Sequence, residues 1–436
     1  MKVKALSRSS SDYLPSRKGD ASHQPRNLDP ELHPFERARE YTRALNAVKL
    51  DRMFASPFVA QMGRGHVDGV YRLVKNPNIL SSYASGSGDG EIKIWNVSER
   101  SEEFTVKAHS TMIKDLSFTE AGLLSCASEP VIKLWDGEKN PKRTYSSKND
   151  ISSISANREQ TKFAAASSDI AIYDITRTNP VFRMEWDADN IIRVRFNPVE
   201  TNIVVASSMD NAIILYDIRS QSPLTKLITK MRTNMLSWNP MEAFNFAAAS
   251  EDYNAYLYDM RKLTQAVNVY KDHTAAVMDI DFSPTGQELV TGSYDNTLRI
   301  WNTQNGRSRD IYYSSRMQRV WAAQYSMDNQ WILSGSDDGN VRLWRANASS
   351  RATMATPRQQ RQLDYSASLK QKYSHLPEIK RISKHRIVPN KIKRGREEHR
   401  TIEESRKRKE ENIRKNKQPD LPRVPEKKKH ILQQKS

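Results

Sequence analysis

An all-β fold assembled from seven copies of one supersecondary unit is what the sequence predicts, and three observations carry that expectation. An aliphatic strand ending in an aromatic recurs at Trp95, Trp135, Tyr173, Tyr216, Tyr258, Trp301 and Trp344, in steps of 38 to 43 residues. An acid stands six residues before six of these aromatics: Asp89, Glu129, Asp210, Asp252, Asp295 and Asp338. Small-residue strands such as FAAASSD, VVASSMD, FAAASED and LVTGSYD lie just upstream, and their Ala, Ser and Gly let neighbouring backbones approach closely, as a crowded axis requires. The third copy departs, because Asp169 lies only four residues before Tyr173, which implies a shortened turn.

Upstream of the aromatic-ending strands comes an alternating strand closed by Asn-Pro or Ser-Pro, as at Pro198, Pro240 and Pro284. His66, His109 and His273 lie where the first strand of three units begins. These residues resemble the WD repeat. The resemblance implies a seven-bladed β-propeller of four-stranded blades around a central channel, placed here at residues 53–350. It also implies that the histidine and the turn acid hydrogen-bond across a blade. Blades one, two and six keep both, with Glu129 as a variant; blades three, four, five and seven lack the histidine, so the network should be incomplete there. The chain leaves the seventh copy soon after Trp344, so Phe54–Ala60 is expected to supply the missing outer strand and close the ring without a free edge.

The flanks read differently. In residues 1–52 the stretch from Glu36 to Leu50 has helical composition, with Ala38, Tyr41, Leu45 and Val48 on one face, expected to lie against the propeller. Residues 351–389 read as a linker (351–362) followed by a docking segment whose Leu376, Ile379 and Ile382 share a helix face, directed at the propeller or at a partner. Residues 390–436 form a basic tail, mostly helical or extended. Glu403, Lys407 and Glu411 permit i,i+4 pairing there, while Ile402 and Ile413 are too few for a coiled-coil seam. A helix polar all round must be solvated, disordered or buried in a charged partner.

Charge divides along the same boundaries. The net charge of +18 is concentrated in residues 351–436, which hold 26 basic and 10 acidic side chains; residues 53–350 hold 32 and 34. The middle is a near-neutral body, and the tail points to a polyanion. Its basic clusters are Lys391, Lys393, Arg394 and Arg396, then Arg406, Lys407, Arg408 and Lys409, then Arg414 and Lys415, then Lys427, Lys428 and Lys429. They suit RNA-phosphate contact, nuclear import, or both. With few aromatics interleaved for stacking, such a tail positions RNA rather than reading its sequence.

Chemistry of other kinds finds no support. Gly86-Ser87-Gly88-Asp89-Gly90 precedes a strand rather than a helix, so it reads as a blade turn needing positive φ, not a phosphate loop. Asp187 and Asp189 lack the glycine and distal acid of a calcium loop. The single cysteine, Cys126, excludes an intramolecular disulfide and a cysteine-based zinc site, and reads as a small buried apolar residue. No nucleophile has an activating neighbourhood. We expect no enzyme, no metal, no cofactor, no small-molecule substrate and no membrane partner; neither an apolar span nor a signal-peptide pattern is present, and a cytosolic or nuclear location follows.

The flanking sequences HPFERAREYTRALNAVKLDRMFASPFVAQM and SHLPEIKRISKHRIVPNKIKR narrow the resemblance to the Sof1 family of WD-repeat proteins. That family is associated with the U3 small nucleolar ribonucleoprotein and the small-subunit processome. The implication is a nucleolar, non-catalytic assembly factor whose propeller docks processome proteins. Its basic tail would contact pre-ribosomal RNA, U3 RNA or both. The resemblance implies an alternative as well, a substrate receptor of a cullin–RING ubiquitin ligase. Related animal members dock the ligase adaptor through an aromatic-Asp-x-Arg turn, which occurs here twice: Tyr216-Asp217-Ile218-Arg219 and Tyr258-Asp259-Met260-Arg261. The same residues also read as simple turn stabilisers.

Overall fold

A computed structural model describes residues 18, 30–186, 189–350, 356–416 and 424–435. Seven antiparallel sheets follow one another along the chain as the blades of a propeller. Blade one comprises Val70–Lys75, Ser82–Ser87, Glu91–Asn96 and Ser101–Lys107, and blade two Ile113–Thr119, Gly122–Ala127, Val131–Trp135 and Arg143–Ser146. Blade three comprises Ser153–Ala156, Lys162–Ala166, Ile170–Asp174 and Phe182–Met184, and blade four Ile191–Phe196, Ile203–Ser208, Ala212–Asp217 and Ser222–Thr229. Blade five comprises Thr233–Trp238, Asn245–Ser250, Asn254–Asp259 and Asn268–Lys271, and blade six Val277–Phe282, Glu288–Ser293, Leu298–Asn302 and Ser308–Tyr312. Blade seven takes Val320–Tyr325, Trp331–Ser336 and Val341–Arg345 from one end of the ring and Phe58–Gln61 from the other.

The closing strand runs antiparallel to Val341–Arg345 with Phe58 opposite Trp344, so the ring is sealed by pairing between its two ends. It starts four residues later than the sequence suggested. Helix α1 (Glu36–Met53) runs three residues past the Leu50 end read from the sequence, with Phe54 as its C-cap, and strand pairing begins only after Pro57.

Burial accumulates between blades rather than within them. Ala164, Ile172 and Ile170 of blade three meet Val194, Val204 and Ile214 of blade four, all fully buried. Each such aliphatic contributes roughly 1.5–3 kcal/mol on leaving water. The small residues of each second strand fit because the neighbouring innermost strand lies close: a Cβ on Gly86 would fall 2.6 Å from the Ile113 side chain.

The turn networks follow the histidines. In blade six, His273 bonds Asp295 (2.8 Å) and Thr291 (2.7 Å), and Trp301 donates its indole N–H to the same Thr291 hydroxyl at 2.8 Å. In blade two, His109 bonds Ser125 at 2.8 Å and approaches Glu129 at 3.3 Å. Blade one is only half complete. His66 reaches Ser85 at 2.6 Å, but its Nδ1 faces Glu91 at 3.5 Å, while Asp89 accepts from the Glu91 amide. Where histidine is missing, the turn acid finds another partner: Arg183 for Asp169, Lys226 for Asp210, Tyr256 for Asp252 and Arg342 for Asp338.

The propeller axis holds a charge cluster that the repeat pattern conceals. Arg72 donates to Asp115 (2.7 Å) and approaches Asp279 (3.5 Å), and Arg195 donates to Asp115 at 2.9 Å. Asp115 and Asp279 are essentially inaccessible, and Asp279 is further held by the Ala323 amide at 2.8 Å.

The chain divides into two compact units, Phe58–Ala346 with Ile387–Ser436, and Met1–Pro57 with Asn347–Arg386. The second is a small helical module. Helix α2 (Pro357–Lys372) and helix α3 (Pro377–Lys384) cover α1, burying Ala44, Val48, Leu369 and Ile379 with Tyr41, Leu45, Tyr373 and Ile382 around them. The apolar face of α1 is therefore satisfied by α2 and α3, and Ala44 rather than the exposed Ala38 completes it. Helix α2 begins inside the stretch read as a linker. Thr356 and Gln359 form a capping box around Pro357, so the helix starts where two orphan amides gain acceptors.

Candidate nucleic-acid interface

Helix α4 (Asn390–Asn416) carries most of the basic clusters. At about 1.5 Å per residue it spans roughly 40 Å. Its sequence has almost no apolar face, so packing alone cannot hold it. A few specific contacts on the propeller do. Ile392 is buried, Arg396 reaches Asp272 at 3.5 Å, and the His399 ring meets Tyr253 edge-on at 5.6 Å. Further along, Lys407 lies 3.9 Å from Glu426, which also accepts from Lys271 of blade five at 2.6 Å. The hydrogen bond from Lys271 holds the Glu426 carboxyl below its usual range. Of the i,i+4 pairs on α4, those formed are Arg400–Glu404 and Lys415–Glu411; Lys407 turns to Glu426 instead of its own helix.

Beyond α4 the chain returns to the propeller. The Ala266 amide donates to the Lys427 carbonyl and the Lys230 amide to the His430 carbonyl, at 3.0 and 2.9 Å. His430 is buried and stacks on Tyr256 with ring centroids 3.7 Å apart. Burial, with Lys230 nearby, pulls its pKa down to about 4. Ile431–Lys435 then adds a fifth strand to blade four, antiparallel to Ser222–Thr229. Part of the tail, read as mostly helical or extended, is thus paired into a sheet. The missed signal is Ile431 preceded by His430, an apolar and an aromatic residue after a long polar run.

The structure separates the predicted basic residues into two groups. Arg396, Lys407, Lys415 and Lys429 have carboxylate partners within the chain: Asp272, Glu426, Glu411 and Glu410. Among the described residues, Lys391, Lys393, Arg394, Arg406, Arg408, Lys409, Arg414, Lys427 and Lys428 have none, and all but the half-buried Arg414 are exposed. They form no aromatic-lined slot; what they offer is a set of cations without carboxylate partners, most of them on α4 and two at Lys427 and Lys428, suited to phosphates.

The two Asp-x-Arg turns are closed on themselves. Arg261 grips Asp259 with two bonds of 3.1 and 3.0 Å and lies over the Phe244 ring at 4.1 Å. Arg219 donates its backbone amide to Asp217 at 2.9 Å, while its guanidinium, 3.5 Å from the same carboxylate, stays 74% exposed. Of Asp187 and Asp189, set aside above as a calcium loop, Asp187 lies outside the described residues, and the Asp189 carbonyl accepts from Ser208 at 3.0 Å. Cys126 is buried, and burial pushes its thiol up.

Comparison with known proteins agrees with this architecture. Residues 59–96, 264–302 and 311–345 match the WD domain, G-beta repeat, and residues 346–431 match the Sof1-like domain. The chain is 47% identical to Protein SOF1 of Saccharomyces cerevisiae, over 99% of this chain and 94% of that protein. It is 51% identical to Protein sof1 of Schizosaccharomyces pombe and 43% identical to DDB1- and CUL4-associated factor 13 of Homo sapiens, in each case over 99% of both chains. Identity at this level along the propeller and both flanks makes the chain a member of the Sof1 family of WD-repeat proteins.

Proposed function

We propose that this protein is a scaffold subunit of the nucleolar small-subunit processome and U3 ribonucleoprotein, supporting pre-ribosomal RNA processing and assembly of the small ribosomal subunit. The family is a non-catalytic scaffold family. In this reading the propeller docks processome proteins, and α4 lies along the phosphates of pre-ribosomal or U3 RNA. The observation that carries it is the set of cations without carboxylate partners, Lys391, Lys393, Arg394, Arg406, Arg408 and Lys409, on a helix already fixed to the propeller by Ile392, Arg396 and Lys407. A helix ordered in advance loses less entropy on binding than a free arm.

The test is charge reversal rather than deletion, since deletion would also remove the strand on blade four. Lys391→Glu, Lys393→Glu, Arg394→Glu, Arg408→Glu and Lys409→Glu together should release the full chain from pre-ribosomal particles and impair small-subunit RNA processing. The slope of log affinity against log salt for single-stranded pre-ribosomal RNA should fall by about 0.7 for each phosphate that is no longer neutralised. Unchanged affinity and slope would end the reading.

A second reading is favoured by the name of the human relative, which ties that protein to DDB1 and CUL4. Here the exposed Arg219 would reach the ligase adaptor. Arg219→Ala with Arg261→Ala should abolish adaptor pull-down and leave ribosome assembly intact; the absence of adaptor from the wild-type pull-down would dismiss it.

A further inference from the structure

The innermost strands share one irregularity. Blades one, two, four, five, six and seven each carry a β-bulge near the start of that strand, leaving one residue without a cross-strand partner. Those residues are Tyr71, Lys114, Ile192, Asn234, Met278 and Trp321. A bulge re-aims side chains, and six at one register position place these residues in a ring at one mouth of the channel. All but the buried Asn234 are half-buried, so they are neither core nor freely solvated.

Charge is unbalanced at this mouth. Just below the ring, Asp115 and Asp279 are engaged by Arg72 and Arg195. Arg193 comes no nearer than 3.7 Å to Asp115, already shared by two other arginines, and its guanidinium donates to the Lys114 carbonyl at 2.9 Å. Its Nε is buried without an acceptor. Among the described residues the Lys114 ammonium has no hydrogen-bond or ion-pair partner, although it is half-buried beside Arg193. Burial and that neighbouring cation pull its pKa below the usual lysine range. Among the described residues the Lys114 ammonium has no counter-charge and Arg193 only a distant share of Asp115, although both are partly desolvated and the propeller as a whole is near neutral.

The rim indicates what kind of anion fits. Ile192, Met278, Tyr71 and Trp321 are apolar or aromatic, the composition of a binding hot spot. These rings already engage one another: Tyr71 packs on Trp321 at 4.7 Å, Tyr294 meets Trp321 at 5.0 Å, and Arg319 lies over Tyr294.

We propose that the channel mouth is a docking site for a partner-protein peptide that inserts an Asp or Glu side chain between Lys114 and Arg193, with flanking apolar residues on Ile192, Met278 and Trp321. The carboxylate supplies the missing counter-charge, and the apolar ring removes water from the pair, which strengthens it. This gives the scaffold reading a definite protein-binding surface, and it does not depend on RNA contact by α4.

The test is selection of a displayed random 12-residue peptide library on the immobilised full chain, followed by fluorescence anisotropy of the selected peptides. Selected peptides should contain an Asp or Glu flanked by apolar residues, and replacing that acid by Asn or Gln should weaken binding at least tenfold. Lys114→Glu and, independently, Ile192→Glu should weaken it at least tenfold, Lys114→Arg should preserve it, and RNA binding by all three variants should stay at the wild-type level. Unaltered thermal midpoints would show that the variants fold. The proposal is overturned if no peptide depending on Lys114 is selected, if the acid is dispensable, or if a 12-nucleotide single-stranded RNA displaces the peptide by occupying the mouth itself. Loss of RNA binding in the α4 variants with peptide binding intact would separate this site from the tail.

Discussion

Gly90 shows how much one backbone angle decides in a blade turn. It has φ +83°, and a Cβ there would lie 2.2 Å from the His109 carbonyl oxygen. Gly90→Ala should therefore cost about 2–4 kcal/mol, read from urea unfolding. Asp295 illustrates a buried charge held by its partners. Burial by itself would raise the pKa of its carboxyl, but His273 and Arg299 beside it, with the Thr297 hydroxyl, outweigh that and keep it well below the usual range. Such a group stabilises the fold above the carboxylate's unfolded pKa near 4, and the contribution fades as pH falls through the folded value. Removing the charge should be costly because His273 and Arg299 would then face an empty position: Asp295→Ala is expected to lose about 3–5 kcal/mol.

At the scale of elements, two attachments rest on few residues. Helix α2 depends on its capping box, and Thr356→Ala should destabilise the helical module by about 1 kcal/mol, seen as faster amide exchange in the first turn of α2. The fifth strand of blade four depends on His430. Its folded pKa, about 4 against an ordinary 6.5, means that the undocked segment takes up a proton first. Docking is thus at full strength above pH 6.5 and weakens as pH falls towards 4, by roughly 3 kcal/mol in all. Lys230 and Lys271 add repulsion to a protonated ring in the same direction. Amide protection at residues 226–229, corrected for intrinsic exchange, should fall between pH 7 and pH 5. His430→Phe should keep the stack on Tyr256 and abolish the pH dependence; protection equal at both pH values in the wild type would refute this account.

For the whole molecule, closure of the ring is the controlling feature. Phe58–Gln61 is the outer strand of blade seven, and its removal leaves the edge of Val341–Arg345 unpaired. Truncation of residues 1–61 should give a protein that aggregates, detected by light scattering, while truncation of residues 424–436 should leave the seven blades folded. In the readings proposed above, RNA contact by α4 and peptide docking at the channel mouth use separate surfaces. Variants of Lys114 and variants of Arg408 are therefore expected to lose different partners.

The seven blades were legible because each repeats an aromatic, an acid and a small-residue strand at fixed spacing, and because the seventh lacks a strand that only the N-terminal side can supply. The basic clusters were legible from composition. What sequence could not assign was the partner of each side chain. Nothing local tells Ile379 that it will meet Ala44, or Lys407 that it will pair with Glu426 rather than Glu403 or Glu411. The capping box at Thr356 was local and readable, yet the polar residues after it resembled a linker. The axial cluster stayed hidden for a different reason: Arg72, Asp115, Arg193 and Asp279 stand in separate blades, and only ring closure brings them together. Sequence alone determined the repeating unit, its number and the sign of the tail, since strand periodicity and charge are properties of neighbours along the chain. Tertiary structure decided which cations are spent on internal partners and which stay available, because that depends on contacts between residues far apart in sequence.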